Sequence, residues 1–236
     1  MFNPESPPEI VASRWYNSDG KTTLKGYKGK VVVIAIFQML CPGSQKYGLP
    51  QAMRLRHAFA DKEVAVLGLH MAFEKQDEQS PEKVEAFLAQ NGITIPVAYD
   101  KPNGEKLPAT MEAYELQGTP ALLVFDRQGR LRRHYLGAVD DLRVGAEVMG
   151  LLMEEADSPR EFSIAVERRL AAALVDPDAH HHEGGCCGGH HHDHDHAHGG
   201  GCCGGAHAHD HDDDHDHERA AKKEGCDGKG GCGCRH

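Results

Sequence analysis

Seven consecutive apolar residues, Val31 to Phe37 in "GKVVVIAIFQ", lead within a few positions into Cys41-Pro42-Gly43-Ser44. The run has no polar alternation and is rich in β-branched side chains, bounded by Gly29 before and the Cys-Pro-Gly turn after. Such a segment reads as a strand buried on both faces. A strand with two apolar faces needs a layer on each side of its sheet. This one feature restricts the fold to a layered α/β arrangement.

The segments that follow fit that restriction. "SQKYGLPQAMRLRHAFA" carries Leu49, Met53, Leu55 and Phe59 as a rough helical stripe, and Pro50 is expected to bend or break its first turns. "EVAVLGLH" reads as a second buried strand. "SPEKVEAFLAQNG" has Ser80 as N-cap, Pro81 at the first helical position and Asn91-Gly92 as its stop. "IPVAYD" is a short third strand and "PATMEAYEL" a short helix. "ALLVFDRQGRLRRHYLG" reads as a hairpin turning near Asp126 to Gly129. "DDLRVGAEVMGLLMEEA" is amphipathic, and "PREFSIAVERRLAAALV" is one further helix. Before the first buried strand, "VASRWYNSDGKTTLKGYKGK" is expected to form an N-terminal hairpin. The order predicts a mixed sheet with helices on both faces.

Composition divides the chain of 236 residues in two. Residues 1 to 175 have a net charge of −2; residues 176 to 236 have −8, with 15 of the 18 His and 7 of the 8 Cys. No basic patch suggests a nucleic-acid partner. The N-terminus lacks a basic region followed by an apolar run, and the longest apolar stretch is too short to span a bilayer. A cytoplasmic location without membrane association is therefore expected, with thiols reduced or metal-bound.

The element order and two local motifs resemble the thioredoxin fold, within the redoxin families of TlpA and AhpC/TSA type. Cys41-Pro42-Gly43-Ser44 follows the first central strand, and Gly118-Thr119-Pro120 precedes the hairpin. The resemblance covers roughly residues 8 to 156, with residues 157 to 175 as an added C-terminal helix. It implies that Pro120 is cis and faces Cys41. It also implies thiol–disulfide chemistry with protein or small-molecule thiols and disulfides, with Cys41, Ser44, Thr119 and Pro120 at the site and no organic cofactor.

The residues themselves support an active thiol. A cysteine at a helix start meets unpaired N–H groups and the positive end of the helix dipole, which favour thiolate. The bland alternative is a buried inert cysteine. Ser44 stands where a dithiol enzyme has its resolving cysteine; it donates a hydrogen bond but forms no disulfide. The buried acid that thioredoxins carry six residues before the first cysteine is Ala35 here, and the preceding aromatic residue is Leu40. Together these departures predict a monothiol design. Peroxiredoxins place Thr or Ser three residues before their cysteine and Pro seven before it; here stand Gln38 and Ile34, which argues against a thiol peroxidase. His70, ending the second buried strand, is expected to be structural rather than a base. His57 and His134 have no assigned role.

From Asp176 onward no hydrophobic period exists, and the segment cannot bury enough apolar surface to fold alone, so a disordered tail is expected. "GGCCGG" occurs at 184–189 and again at 200–205, and the chain closes with "GCDGKGGCGCRH". Imidazole and thiolate are the strongest side-chain ligands for borderline divalent metals, and glycine lets them rearrange around an ion. The candidate ligands are Cys186, Cys187, Cys202, Cys203, Cys226, Cys232 and Cys234. Between and after them stand His190, His191, His192, His194, His196, His198, His207, His209, His211, His215, His217 and His236. The spacings match no closed zinc finger and suggest many overlapping sites.

The tail is similar to the metal-binding C-terminus of SlyD-type peptidyl-prolyl isomerases, except that Arg235 interrupts the final Cys-His and no isomerase domain precedes it. That resemblance implies nickel first, with zinc, copper and cobalt also bound, and metalloenzyme maturation proteins among the partners. Three readings stay open: a monothiol oxidoreductase, a metal storage or delivery protein whose front domain is a docking module, and an enzyme whose missing thiol comes from the tail.

Overall fold

The computed structural model describes residues 2–20, 22–104 and 107–174. The tail ligands named above lie outside them. The strands are β1 (Ala12–Tyr16), β2 (Val31–Phe37), β3 (Val64–His70), β4 (Val97–Asp100), β5 (Ala121–Phe125) and β6 (Leu131–Leu136). The α-helices are α1 (Leu49–Ala58), α2 (Pro81–Gln90), α3 (Ala109–Ala113), α4 (Asp141–Leu152) and α5 (Arg160–Ala173). One six-stranded mixed sheet has the order β1-β4-β3-β2-β5-β6. β3 pairs parallel with β2 and with β4, while β5 runs antiparallel to β2. This is the thioredoxin-like α/β fold.

β2 occupies the centre because nothing on it tolerates water: all seven residues are at most 1 % exposed. Its side chains divide by parity. Val31, Val33, Ala35 and Phe37 enter one core with α1, α2 and α4, while Val32, Ile34 and Ile36 enter the other with Met111, Tyr114 and Phe125. The period of two along a strand produces that split. The chain moves from β2 to β3 to β4 in one direction, so right-handed crossovers place α1 and α2 on the same face.

Three local expectations need correction or refinement. Among the described residues no N-terminal hairpin forms: β1 is a single strand that pairs antiparallel with β4, Trp15 opposite Ala98, and residues 24–27 make a 3-10 turn. Pro50 disturbs its helix without ending it: helical backbone runs on from Pro42, and a wider π-type turn, Ser44–Gly48, stands immediately before α1 and the proline, whose missing N–H cannot join the regular ladder. Ser80 has extended cap geometry before α2, but its side chain makes no cap hydrogen bond.

α5 is joined to the domain by a buried ionic cluster. Arg132 on β6 donates to Glu154 and to Asp126, at 2.8 and 3.0 Å. Arg130 donates to Asp126 at 2.7 Å and to the Ser163 hydroxyl of α5 at 2.8 Å. Gly150 permits the close contact of α4 with α5, because a Cβ there would stand 2.9 Å from Leu170 Cδ1. Replacing Arg132 by Leu leaves two buried carboxylates, Asp126 and Glu154, with Arg130 as their one remaining buried cation and is expected to destabilise the domain by about 3 kcal/mol. Arg54→Ala, which removes the exposed pair with Asp141, should cost less than about 1 kcal/mol. Urea denaturation of both variants checks the contrast.

Candidate active site

The site lies beyond the C-terminal ends of the parallel strands, the edge where open α/β sheets bind their ligands. β2 ends at Phe37, and a tight turn follows in which the Cys41 N–H bonds the Gln38 carbonyl at 3.0 Å. The helix begins at Pro42, and the Cys41 carbonyl accepts the Gln45 N–H at 3.1 Å. Cys41 is thus the cap residue of this helix. Its sulfur accepts the Ser44 N–H at 3.4 Å, the role an oxygen usually plays at a helix N-terminus.

Ser44 is fully buried and its oxygen accepts the Gln38 N–H at 3.4 Å, which leaves its hydroxyl proton for the sulfur. In the protonated state the Cys41 thiol donates to the Thr119 carbonyl at 3.4 Å. Burial opposes ionisation of Cys41, and so does that carbonyl. The Ser44 and Thr119 hydroxyls and the N–H groups of Ser44 and Gly43 outweigh them, and the thiol is held below its ordinary pKa.

The Thr119–Pro120 bond is cis. The proline ring packs against the start of the active-site helix at two glycines. A Cβ on Gly43 would stand 3.0 Å from Pro120 Cδ, and one on Gly48 would stand 2.9 Å from Pro120 Cβ. Only residues without side chains admit so close a ring. The structure thus brings Cys41, Ser44, Thr119 and Pro120, residues some 80 positions apart, to one place.

A cleft of about 440 Å³ opens beside the sulfur, walled by residues 73–75 on one side and 117–119 on the other. The sequence reading gave Gln38 no part in the site and passed over Gln79. Gln38 and Gln79 both donate to the Glu74 carbonyl, at 3.2 and 2.7 Å, and so fix the loop after β3 against the site. Lys75 has left-handed backbone, φ 47°. The only available signal for Gln38 was its place just after a strand; Gln79 and Lys75 offered none.

His70 is next to Phe37 in register but does not serve the thiol. It is fully buried, stacked on Tyr99 and edge-on to Phe37, with Nε2 bonded to Gln79 Oε1 at 3.2 Å. Since Gln79 uses its amide nitrogen on Glu74, Nε2 of His70 is the donor. Burial pushes its pKa down to about 4. His57 and His134 are exposed. Ala35, at the place of the thioredoxin acid, is a core methyl group; Gln38 offers no hydroxyl where a peroxidatic site has Thr or Ser, and Ile34, where it has Pro, is a core side chain. Among the described residues no group of three or more His, Cys, Asp or Glu is arranged to hold a metal ion.

The model of the AhpC/TSA family matches residues 8–134. The chain belongs to the AhpC/TSA family. It is 28 % identical over 131 residues to the thiol-disulfide oxidoreductase YkuV of Bacillus subtilis, covering 55 % of this chain and 82 % of that protein. Two crystal structures cover 64 % of this chain and 97 % of their own. One is the thioredoxin-like superfamily protein SPOA0173, 45 % identical with a TM-score of 0.62. The other is a thiol-disulfide isomerase from Corynebacterium glutamicum, 40 % identical with a TM-score of 0.61.

The buried imidazole predicts a specific pH dependence. His70 stays neutral in the fold but charges near pH 6.5 when unfolded, so its stabilising effect is complete above that value. It is lost as pH falls from 6.5 to about 4, by roughly 3 kcal/mol. Denaturation midpoints measured across that range should fall more steeply for the native chain than for His70→Gln.

Proposed function

We propose that this chain is a thiol–disulfide oxidoreductase that works through one sulfur, Cys41, by way of mixed disulfides with protein or small-molecule thiols. The observation that carries the reading is the position of Cys41. It caps a helix, receives the Ser44 N–H, faces a cis proline and opens on a cleft. The names of the relatives, oxidoreductase and isomerase, support the same chemistry. Ser44 occupies the resolving position, and Cys41 is the only cysteine among the described residues. The Cys41 thiolate attacks a disulfide, one partner leaves as thiol, and the other remains bonded to Cys41.

The tail, in this proposal, binds divalent transition metal, nickel before zinc, copper or cobalt. The support is its composition: paired cysteines flanked by glycine and alternating with His-Asp runs. The same composition favours a second reading, in which the protein stores or delivers metal, with metalloenzyme maturation proteins as partners, and the folded domain only docks. A cytoplasmic location suits both, since reduced thiols are needed for metal binding. No helix among the described residues is long and apolar enough to cross a membrane.

Two variants separate the readings. Cys41→Ser should abolish catalysed exchange with a model disulfide while leaving nickel uptake in equilibrium dialysis intact. Removal of residues 176–236 should abolish nickel uptake and leave exchange intact. Exchange that survives Cys41→Ser contradicts the enzymatic reading; nickel uptake that survives removal of the tail contradicts the assignment of the metal.

A further inference from the structure

The cleft beside Cys41 carries polar groups that the thiol chemistry does not use. Glu74 and Lys75 are exposed, adjacent and on its wall, and neither forms an ion pair with any described residue. The loop that bears them is not free, because Gln38 and Gln79 hold its Glu74 carbonyl from beneath. Gln38 lines the same cleft and is only 5 % exposed. Its Nε2 is committed to the Glu74 carbonyl, which sets the amide orientation and leaves Oε1 as an acceptor. The half-buried ring of Phe73 supplies an apolar wall.

These groups specify a ligand by chemistry. Lys75 suits a carboxylate, Glu74 an ammonium, and Gln38 Oε1 an amide N–H, all beside a sulfur. We propose that this cleft binds a small peptidic thiol carrying both charges, and that this thiol releases the mixed disulfide formed on Cys41. The proposal rests on the monothiol reading given above.

The steps balance without an added oxidant. In the first, the Cys41 thiolate attacks R–S–S–R′; a Cys41–S–S–R bond forms, the S–S bond of the substrate breaks, and R′S⁻ leaves to take a proton. In the second, the cleft-bound thiol R″SH, deprotonated, attacks the sulfur of R rather than that of Cys41. The direction follows from the leaving group: a thiolate stabilised by Ser44 and Gly43 leaves more readily. R–S–S–R″ departs and Cys41 returns as thiolate. Because the attacked sulfur is held at the cleft, the incoming thiol has to fit there alongside R, which favours a small molecule over a protein. The released disulfide then requires a separate disulfide-reducing reaction.

The test uses the full-length chain with its seven tail cysteines replaced by serine, so that Cys41 is the single thiol. Cys41 is charged with bis(2-hydroxyethyl) disulfide, mixed with glutathione or 2-mercaptoethanol, quenched in acid and followed by intact mass. Release by glutathione should saturate and exceed release by 2-mercaptoethanol at equal thiolate concentration. Lys75→Asn keeps a residue that tolerates the left-handed backbone and removes the charge. It should lower the ratio of the two rates about three- to fivefold, the range expected for one exposed charge contact. Equal, unsaturated rates for the two thiols, or a ratio unchanged by Lys75→Asn, would overturn the proposal. A Cys41 that cannot be charged at all contradicts the redox reading itself, and this inference falls with it.

Discussion

The hydrogen bonds that converge on one sulfur organise this end of the molecule. Cys41 Sγ sits where the first free N–H groups of a helix point, and Ser44 contributes both its backbone N–H and its hydroxyl. That arrangement requires the strand to stop at Phe37, the turn to close at Gln38, and the helix to begin at Pro42. It also requires Pro120 to approach the helix closely, which Gly43 and Gly48 permit. The burial of β2 anchors all of this, since a strand packed on both faces cannot shift without exposing one of them.

Much of this was readable from the residues. Val31 to Phe37 announces a central strand because no register leaves it a wet face. The Cys-Pro-Gly turn and the distant Thr119-Pro120 were recognisable as parts of one site through resemblance, although nothing local to either segment says that they meet. "LRRHYL" was legible as a strand through the hairpin turn before it, but Arg132 points inward, against the usual preference of arginine. It can do so because Asp126 and Glu154 wait there, and neither partner was predictable from periodicity. β1 shows the same limit. Its propensity for strand is local, whereas its partner β4 lies about 80 residues away and was chosen by sheet topology. Of the two glutamines that shape the cleft, Gln38 shows only its place after a strand and Gln79 carries no sequence signature.

In the proposed monothiol mechanism, Ser44 in place of a second thiol changes what the site can accomplish rather than whether it reacts. A dithiol enzyme can retain the disulfide it removes from its substrate. A single thiol returns every bond it takes, so its product is set by the next thiol to arrive. The acid that would deprotonate a resolving cysteine is absent in the same chain: Ala35 fills that place with a methyl group in the core. A serine that favours the thiolate and cannot compete for a bond to it suits an exchanger. The tail, with its seven cysteines, adds thiol chemistry of a different kind, directed in our proposal at metal.

The acidity of Cys41 is the quantity on which this account depends. Alkylation of the full-length protein across a pH series, with Cys41 resolved from the tail thiols by peptide mass spectrometry, measures it directly. The account predicts a midpoint below the ordinary thiol value of about 8.5. A midpoint at or above that value would mean that burial and the Thr119 carbonyl prevail over the Ser44 and Gly43 donors, and that the site retains the shape of a redox centre without its reactivity.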